Sequence, residues 1–139
     1  GRAAALHADM TEPYCGVLSQ QILAAARAQD IKMKEKAVYV CPEGPRFETR
    51  AEIAAYAKWG GDVIGMTQVP EVVFARELGL CYAAVAIVTN MAAGLSGKNI
   101  SAAEVIDMMK DQAPLLRGVF QDVIDWLIEN PTTLLDTHH

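Results

Sequence analysis

The sequence lacks the features that mark nucleic-acid-binding and membrane proteins. Its 139 residues include 12 Lys and Arg against 17 Asp and Glu, a formal charge of −5, and no basic run is interleaved with aromatics. Because phosphate backbones are bound through clustered cations, nucleic acid is disfavoured as a partner. No apolar stretch reaches the roughly 18 residues that a membrane span requires, so we expect no membrane association.

Cysteine is scarce, and its spacing excludes the common metal and redox motifs. Cys15, Cys41 and Cys81 are an odd number, are widely spaced and form no CxxC pair. We therefore expect three free thiols in a reducing cytoplasm, where structural disulfides are rare. No secretory signal stands at the start of the sequence, which favours the same cytoplasmic location.

Standard catalytic and cofactor motifs are missing as well. The sequence contains no GxGxxG, no GxxxxGK[ST] and no GxSxG, so dinucleotide, P-loop and serine-nucleophile interpretations have no support. His7 is the only histidine outside the C-terminal pair, and no metal-ligand spacing surrounds it. We expect no metal and no cofactor, and a polar loop histidine is the alternative to a functional His7.

The length and the two ends bound the domain organisation. A chain of 139 residues is long enough for one domain and too short for two ordinary ones. Hydrophobic residues make up 52% of it, so a sizeable core is expected. We interpret His138 and His139 as the remnant of an expression tag, which leaves residues 1–137 as the domain. The start at Gly1 without a Met leaves three interpretations open: a fragment, a cleavage product, or a chain lacking its first part.

Apolar periodicity predicts helices and strands in alternation. Strands separated by helices pair in parallel through right-handed crossovers, so we expect an α/β fold with a mainly parallel central sheet covered by helices. Pro114 is expected to kink or interrupt the last helix, which a Ser101–Glu104 capping box would open. The predicted helices are 17–28, 50–59, 67–78 and 102–128, and the predicted strands are 37–41, 62–66 and 81–89, the last nearly all apolar and hence covered on both faces.

Three loops leave the carboxyl ends of these predicted strands, at residues 43–49, 66–70 and 90–99. Ligands of parallel α/β sheets bind at that edge, so we expect the three loops to converge on one site. The first loop, EGPRFET, places an aromatic ring and a carboxylate side by side at Phe47 and Glu48. A ring can stack on a planar ligand while a carboxylate accepts hydrogen bonds from its edge.

Each candidate residue also has an ordinary structural interpretation. Phe47 could fill the core and Glu48 could be an acid at a helix N-terminus. Thr67 could donate to an anion at the start of a helix, or simply cap that helix. Asn90 could donate to and accept from a heterocycle, or form a local Asx-turn.

Several linked motifs resemble one enzyme family. "EGPRFETRAEI", "GGDVIGMTQVPEVVFARELGLCYA" and "IVTNMAAG" resemble the C-terminal half of the trimeric purine nucleoside phosphorylase and methylthioadenosine phosphorylase family, and "HADMTEPYC" fits the segment just upstream. The similarity keeps order and spacing over most of residues 7–130. It implies a phosphorylase/hydrolase-like fold, of which this sequence is the C-terminal half.

The resemblance also implies a reaction and a role for each residue. Phosphate attacks C1′ of a purine nucleoside, and the products are the free base and a ribose 1-phosphate. Asn90 would be catalytic, donating to N7 of the leaving purine as negative charge develops there. Glu48 would bind the N1–H edge of the base, Phe47 would stack on the base, and Met66 would pack against the ribose. Thr67 would donate to phosphate.

Substrate preference and assembly follow from the same resemblance. Asn90 together with Glu48 resembles the family members that act on 6-oxopurines. The stretch "NISAAEVIDMM" has no histidine for a 5′-hydroxyl, and Val105, with its small and apolar neighbours Ala102 and Ile106, would accept a 5′-methylthio group. Inosine and 5′-methylthioinosine are therefore the expected nucleosides, with inorganic phosphate as co-substrate.

His7 matches a family position that reaches into the neighbouring subunit's site, which implies a homotrimer or a multiple of trimers. The family domain is about twice as long, and its N-terminal half supplies a Gly-rich loop, an Arg and a His for phosphate. Their absence here implies that the missing half is a separate chain, is not represented in this sequence, or that the chain folds differently. The alternative function is a catalytically incomplete fragment that acts as a purine-binding or oligomerisation module.

Overall fold

The computed structural model describes residues 7–96 and 102–133. Each predicted helix is confirmed to within one residue at each end, and the last helix continues through Pro114, so the expected interruption is wrong. Ser101 and the side chain of Glu104, the predicted capping box, lie outside the described part of the chain. The elements are α1 Gly16–Ala28, β1 Tyr39–Val40, α2 Arg50–Lys58, β2 Val63–Ile64, α3 Gln68–Glu77 and α4 Ala102–Glu129.

The two strands pair in parallel, as expected for strands joined by a helix. Tyr39 is in register with Val63 and Val40 with Ile64. The pairing continues for one residue, since the Gly65 N–H donates to the Val40 carbonyl at 3.1 Å. A Cβ at Gly65 would overlap the Tyr39 hydroxyl, so this close approach requires glycine.

The predicted third strand, 81–89, is wrong: no strand is assigned there. The only backbone hydrogen bond found for this segment within the described residues runs from the Cys15 N–H to the Tyr82 carbonyl, at 2.7 Å. Burial alternates along the segment, with Val85 half-buried and Val88 63% exposed, so one face is covered and not two. An apolar pattern predicts burial, but a strand also needs a neighbour to hydrogen-bond with, and the described residues supply none.

The main core lies between α1 and α4. Ile22, Ala25 and Ala26 of α1 pack against Val119 and Val123 of α4, and Val119 has no exposed surface. Each fully buried aliphatic side chain of this size contributes about 1.5–3 kcal/mol to folding. Partly buried side chains from the two helices, from the connection after α1 and from the 81–89 segment extend this cluster: Leu18, Ile31, Met33, Ala83, Val85 and Leu127.

The cysteines also correct the sequence analysis. Cys15 and Cys81 form a disulfide with their Cα atoms 5.2 Å apart, and only Cys41 is a free thiol, half-buried. The spacing of 66 residues carries no information about this contact, which arises because α1 begins beside the 81–89 segment. Disulfides occur in oxidising compartments and in intracellular proteins of hyperthermophiles. The cysteines therefore no longer support a cytoplasmic location, which stays a prediction.

Within residues 7–96 and 102–133, no helix is long and apolar enough to span a bilayer. The same residues hold no group of three or more His, Cys, Asp or Glu side chains placed to bind a metal ion.

Candidate active site

A cavity of about 700 Å³ opens where the three predicted loops meet. Residues from every loop and from the first turns of α4 line it, so the expected convergence of the loops is confirmed. His7 is exposed and does not line the cavity. The other six predicted site residues all line it: Phe47, Glu48, Met66, Thr67, Asn90 and Val105.

The 43–49 loop is held by one carboxylate. Glu52 receives both ends of the Arg46 guanidinium at 2.7 and 3.0 Å, and Arg46 also donates to the Phe47 carbonyl at 3.0 Å. The same carboxylate accepts from the Thr49 N–H at 2.7 Å, while the Thr49 hydroxyl accepts from the Glu52 N–H at 3.2 Å, which completes a capping box for α2. The Arg46 guanidinium, followed by the Thr49 hydrogen bonds, lowers the pKa of Glu52 to about 2.

This arrangement decides two of the alternatives for the loop. Thr49, and not Glu48, caps α2, so Glu48 has no capping role. Glu48 makes no hydrogen bond or ion pair with any described residue, and its half-buried carboxylate borders the cavity. Phe47 is 49% exposed and therefore does not fill the core. The loop presents a ring and a carboxylate to the cavity on a backbone that Arg46 and Glu52 hold in place.

The second loop brings Met66 and Thr67 to the cavity. A Cβ at Gly44 would lie 2.7 Å from the Met66 sulfur, so the first and second loops touch where glycine leaves room. Thr67 occupies the N-cap position of α3, but its side chain makes no capping hydrogen bond. The hydroxyl and the free N–H groups of the first turn are therefore available to an anion in the cavity.

Asn90 is held by its two chain neighbours. The Thr89 hydroxyl donates to Asn90 Oδ1 at 2.8 Å, and Asn90 Nδ2 donates to the Met91 carbonyl at 3.0 Å. An amide nitrogen has two protons, so one donor of Asn90 has no partner among the described residues. The local contacts fix the side chain, and they leave a single N–H for a ligand.

The third loop closes over the start of α2. Gly94 has φ of +85°, a conformation that favours glycine, and a Cβ there would lie 2.6 Å from the Arg50 side chain. Val105 is half-buried at the cavity wall, and Ile106 beside it is 54% exposed. The wall on this side is apolar, which suits an apolar substituent on a ligand.

The charges around the cavity are unbalanced. The described lining residues include the carboxylates of Glu48 and Asp62 and no Lys, Arg or His. Asp62 pairs with Lys34, which lies outside the lining, at 2.8 Å, whereas Glu48 has no ion pair among the described residues and feels Arg46 only at longer range. Among the described residues, a dianion bound here would find neutral donors, such as the Thr67 hydroxyl and the N-terminus of α3, but no cation.

Some residues that support the site were not among those predicted from the sequence. Arg46 and Glu52 support the first loop, and the pattern Thr49-x-x-Glu52 is a capping signature that could have identified one of them. Gln68 lines the cavity and accepts a hydrogen bond from Tyr14, 54 residues away, at 2.7 Å. No local sequence signal indicates that contact.

Comparison with known proteins identifies the family. The sequence pattern of the Phosphorylase superfamily matches residues 1–125. The chain is 53% identical over 107 residues to 6-oxopurine nucleoside phosphorylase of Pyrococcus furiosus, a match that covers 77% of this chain and 40% of that protein. It is 46% identical over 122 residues to a protein of Methanopyrus kandleri named probable S-methyl-5′-thioinosine phosphorylase, covering 88% of this chain and 48% of that one.

Solved structures agree with the sequence matches. A double mutant of adenosine/methylthioadenosine phosphorylase from Schistosoma mansoni in complex with adenine superposes with a TM-score of 0.85 at 30% identity, over 92% of this chain and 51% of that one. A methylthioadenosine phosphorylase from an antarctic soil metagenomic library gives 0.81 at 32% identity, over 93% and 46%.

The α/β fold is therefore that of the phosphorylases on which the chain superposes. The chain belongs to the Phosphorylase superfamily, a family of enzymes. It spans about half the length of the curated relatives it matches.

Proposed function

We propose that this protein, with residues 1–137 as the C-terminal part of one phosphorylase domain, catalyses the phosphorolysis of a purine nucleoside. The observation that carries the proposal is the meeting of Phe47, Glu48 and Asn90 at one cavity, each with its recognition group unused by the described chain. A ring, an acceptor and a donor are what a purine requires on its face, its N1 edge and its N7 edge.

The base that fits best is a 6-oxopurine. Hypoxanthine and guanine have an N1–H group, which donates a hydrogen bond to the free carboxylate of Glu48. Adenine has a lone pair there, and a carboxylate would repel it. Relatives named 6-oxopurine nucleoside phosphorylase support the same preference. An acid in place of Asn90 could only accept, which would suit a 6-amino base instead.

In the proposed reaction, Asn90 stabilises the negative charge that develops on the purine. Phosphate oxygen bonds to C1′ as the glycosidic C–N bond breaks, and the bonding electrons move into the purine. The free N–H of Asn90 then faces the negative charge that develops at N7, and a donor fixed before the reaction stabilises it without reorganisation. Thr67 and the N-terminus of α3 donate to the attacking phosphate, which is a co-substrate, and no other cofactor is needed.

The sugar side of the cavity favours a 5′-methylthio group alongside the ordinary hydroxyl. We place Met66 beside the ribose, while Val105 and Ile106 form an apolar wall that, in the described part of the chain, offers no polar group of its own to a 5′-hydroxyl. The relative named probable S-methyl-5′-thioinosine phosphorylase supports this substrate. Inosine and 5′-methylthioinosine are the two nucleosides that we propose.

Phosphate must find its cations outside the described residues. The lining residues that the structure describes include no Lys, Arg or His, so the described part of the chain does not complete a phosphate position. We propose a homotrimer, or a multiple of trimers, in which the exposed His7 reaches a neighbouring copy, and a further polypeptide half that supplies the phosphate cations. The same observation favours a second candidate function, a purine-binding or oligomerisation module without catalysis.

The test is phosphate-dependent release of hypoxanthine from inosine and from 5′-methylthioinosine by the complete protein. Asn90→Ala should lower kcat about 10²- to 10³-fold, the usual loss for one preorganised donor. Gln121→Leu, on the exposed side of α4, is the control and should leave kcat unchanged. Full turnover by Asn90→Ala would overturn the catalytic role of Asn90.

Calorimetry with hypoxanthine separates the two functions. Binding of the base together with phosphorolysis supports the enzyme, and binding without any turnover supports the purine-binding module. Absence of both would overturn the assignment of Phe47 and Glu48 to a purine.

A further inference from the structure

Two tyrosines outside the cavity reach the first turn of α3. The Tyr14 hydroxyl donates to Gln68 Oε1 at 2.7 Å, and the Tyr82 hydroxyl donates to Glu71 Oε2 at 2.8 Å. Gln68 and Glu71 are three residues apart and lie on the same face of the helix. The two rings stack on each other with centroids 6.1 Å apart, so they meet α3 as one unit, the tyrosine pair.

A covalent link and a backbone hydrogen bond hold the tyrosine pair together. Tyr14 precedes Cys15, Tyr82 follows Cys81, and these two cysteines form the disulfide. The Cys15 N–H also donates to the Tyr82 carbonyl at 2.7 Å. Burial, and for Tyr82 also the Glu71 carboxylate, raises the pKa of both phenols, that of Tyr82 to about 12. Both hydroxyls therefore remain protonated donors at neutral pH.

The first turn of α3 depends on such outside contacts. Its N-cap residue, Thr67, makes no side-chain capping bond, whereas α2 begins with a complete capping box. Gln68 lines the cavity, and with its Oε1 accepting from Tyr14 its amide nitrogen has no partner among the described residues. The turn thus meets the tyrosine pair on one side and the cavity on the other.

We infer that Tyr14 and Tyr82 are positioning residues for the anion side of the site. By holding Gln68 and Glu71 they orient the N-terminus of α3, and with it the hydroxyl of Thr67 and the free amide donors of Gln68, toward the attacking phosphate. The inference rests on the proposed function for its kinetic consequence. It predicts that the tyrosine pair affects phosphate and leaves the base unaffected, since Phe47 and Glu48 have separate support.

Steady-state kinetics of the complete protein test that separation. Tyr14→Phe keeps the ring and removes one hydrogen bond, which should raise KM for phosphate by several-fold to about tenfold. KM for the nucleoside and the affinity for hypoxanthine should change less than twofold. Gln68→Met removes the same bond together with the Gln68 amide donors, so it should raise KM for phosphate more than Tyr14→Phe does, while Gln121→Leu serves as the control.

Equal changes in both KM values, or none in either, would overturn the inference. Tyr82→Phe extends the test to the Glu71 contact, and combining it with Tyr14→Phe should raise KM for phosphate further.

Hydrogen exchange of the substrate-free protein supplies a readout that does not depend on activity. Peptides covering residues 66–74 should exchange several-fold faster in Tyr14→Phe, and peptides covering α2 should be unchanged. If the wild-type protein shows no phosphorolysis, the proposed function fails, but this comparison still decides whether the tyrosine pair holds α3. Unchanged exchange at residues 66–74 would refute the positioning role.

Discussion

The starts of α2 and α3 both face the cavity, but they are anchored in opposite ways. The hydrogen bonds described at the start of α2 span at most six residues, from Arg46 to Glu52. The contacts around α3 span 54 residues between Tyr14 and Gln68, and the disulfide behind them spans 66. A local anchor forms as soon as its helix forms, whereas a distant one exists only when the whole fold has brought its parts together.

The two sides of the cavity are therefore sensitive to different perturbations. The first loop, where we propose that the base binds, depends on an exposed ion pair, which solvent screens, and on a capping box whose N-cap is worth about 1 kcal/mol. The start of α3, where we propose that phosphate binds, depends on a covalent cross-link, and a link of this kind typically contributes about 2–4 kcal/mol. Perturbing the cross-link should therefore disturb α3 and leave α2 nearly intact.

The largest effect is expected from removing the disulfide. Cys15→Ser with Cys81→Ser should lower the free energy of unfolding by about 2–4 kcal/mol, because the unfolded chain regains the freedom of a long loop. Thermal unfolding with and without a thiol reductant measures the difference. In Cys41→Ser the effect of the reductant should persist, and wild-type protein that is insensitive to reduction would contradict the comparison.

Removing the local anchor should have a smaller effect. Thr49→Ala deletes the N-cap hydroxyl and should cost about 1 kcal/mol in the free energy of unfolding. Denaturant titration measures it, with Thr11→Ala, an exposed threonine outside any helix, as the control. Hypoxanthine affinity should fall while hydrogen exchange at residues 66–74 stays at the wild-type rate. Faster exchange there would mean that the two anchors are not independent.

The smallest effect that we expect is a pH dependence of the free energy of unfolding, and it appears only at acidic pH. The folded protein lowers the pKa of Glu52 from 4.5 to about 2, so its carboxylate contributes stability above the unfolded value. That contribution is lost as the pH falls from about 4.5 toward 2, and it does not vary near neutrality. Carboxyl titration by NMR and unfolding of Glu52→Gln across this window check it. A Glu52 midpoint near the ordinary value would show that Arg46 does not hold the loop.

The same division explains what could be predicted from the sequence. Helix boundaries were predictable because their signals are local: Thr49 with Glu52 opens α2, and Gly60 and Gly79, at φ of +89° and +66°, follow the ends of α2 and α3. The meeting of Phe47 and Thr67 was predictable because the connections that follow parallel strands share one edge of a sheet. Asn90 lies at the same cavity although the segment before it forms no strand.

The features that could not be predicted are those set by tertiary contacts. The apolar run 81–89 predicts burial but cannot reveal that the described chain offers it no strand to pair with. The odd number of cysteines suggested free thiols. That prediction failed because the proximity of Cys15 and Cys81 across 66 residues is set by packing and not by their spacing in the sequence. Tyr14 follows Pro13 in a segment without periodicity, and nothing in that pattern indicates its bond to Gln68.

Among the described residues, the lining of the cavity carries no cation, and under the proposed function this has an evolutionary consequence. Glu48 and Asn90, to which we assign recognition of the purine, are then separate from the cations that phosphate requires. A substitution at Glu48 or Asn90 would alter which base is accepted without removing a phosphate cation. Base preference could therefore diversify as a separable trait, which suits a family whose members bear the names of several nucleosides.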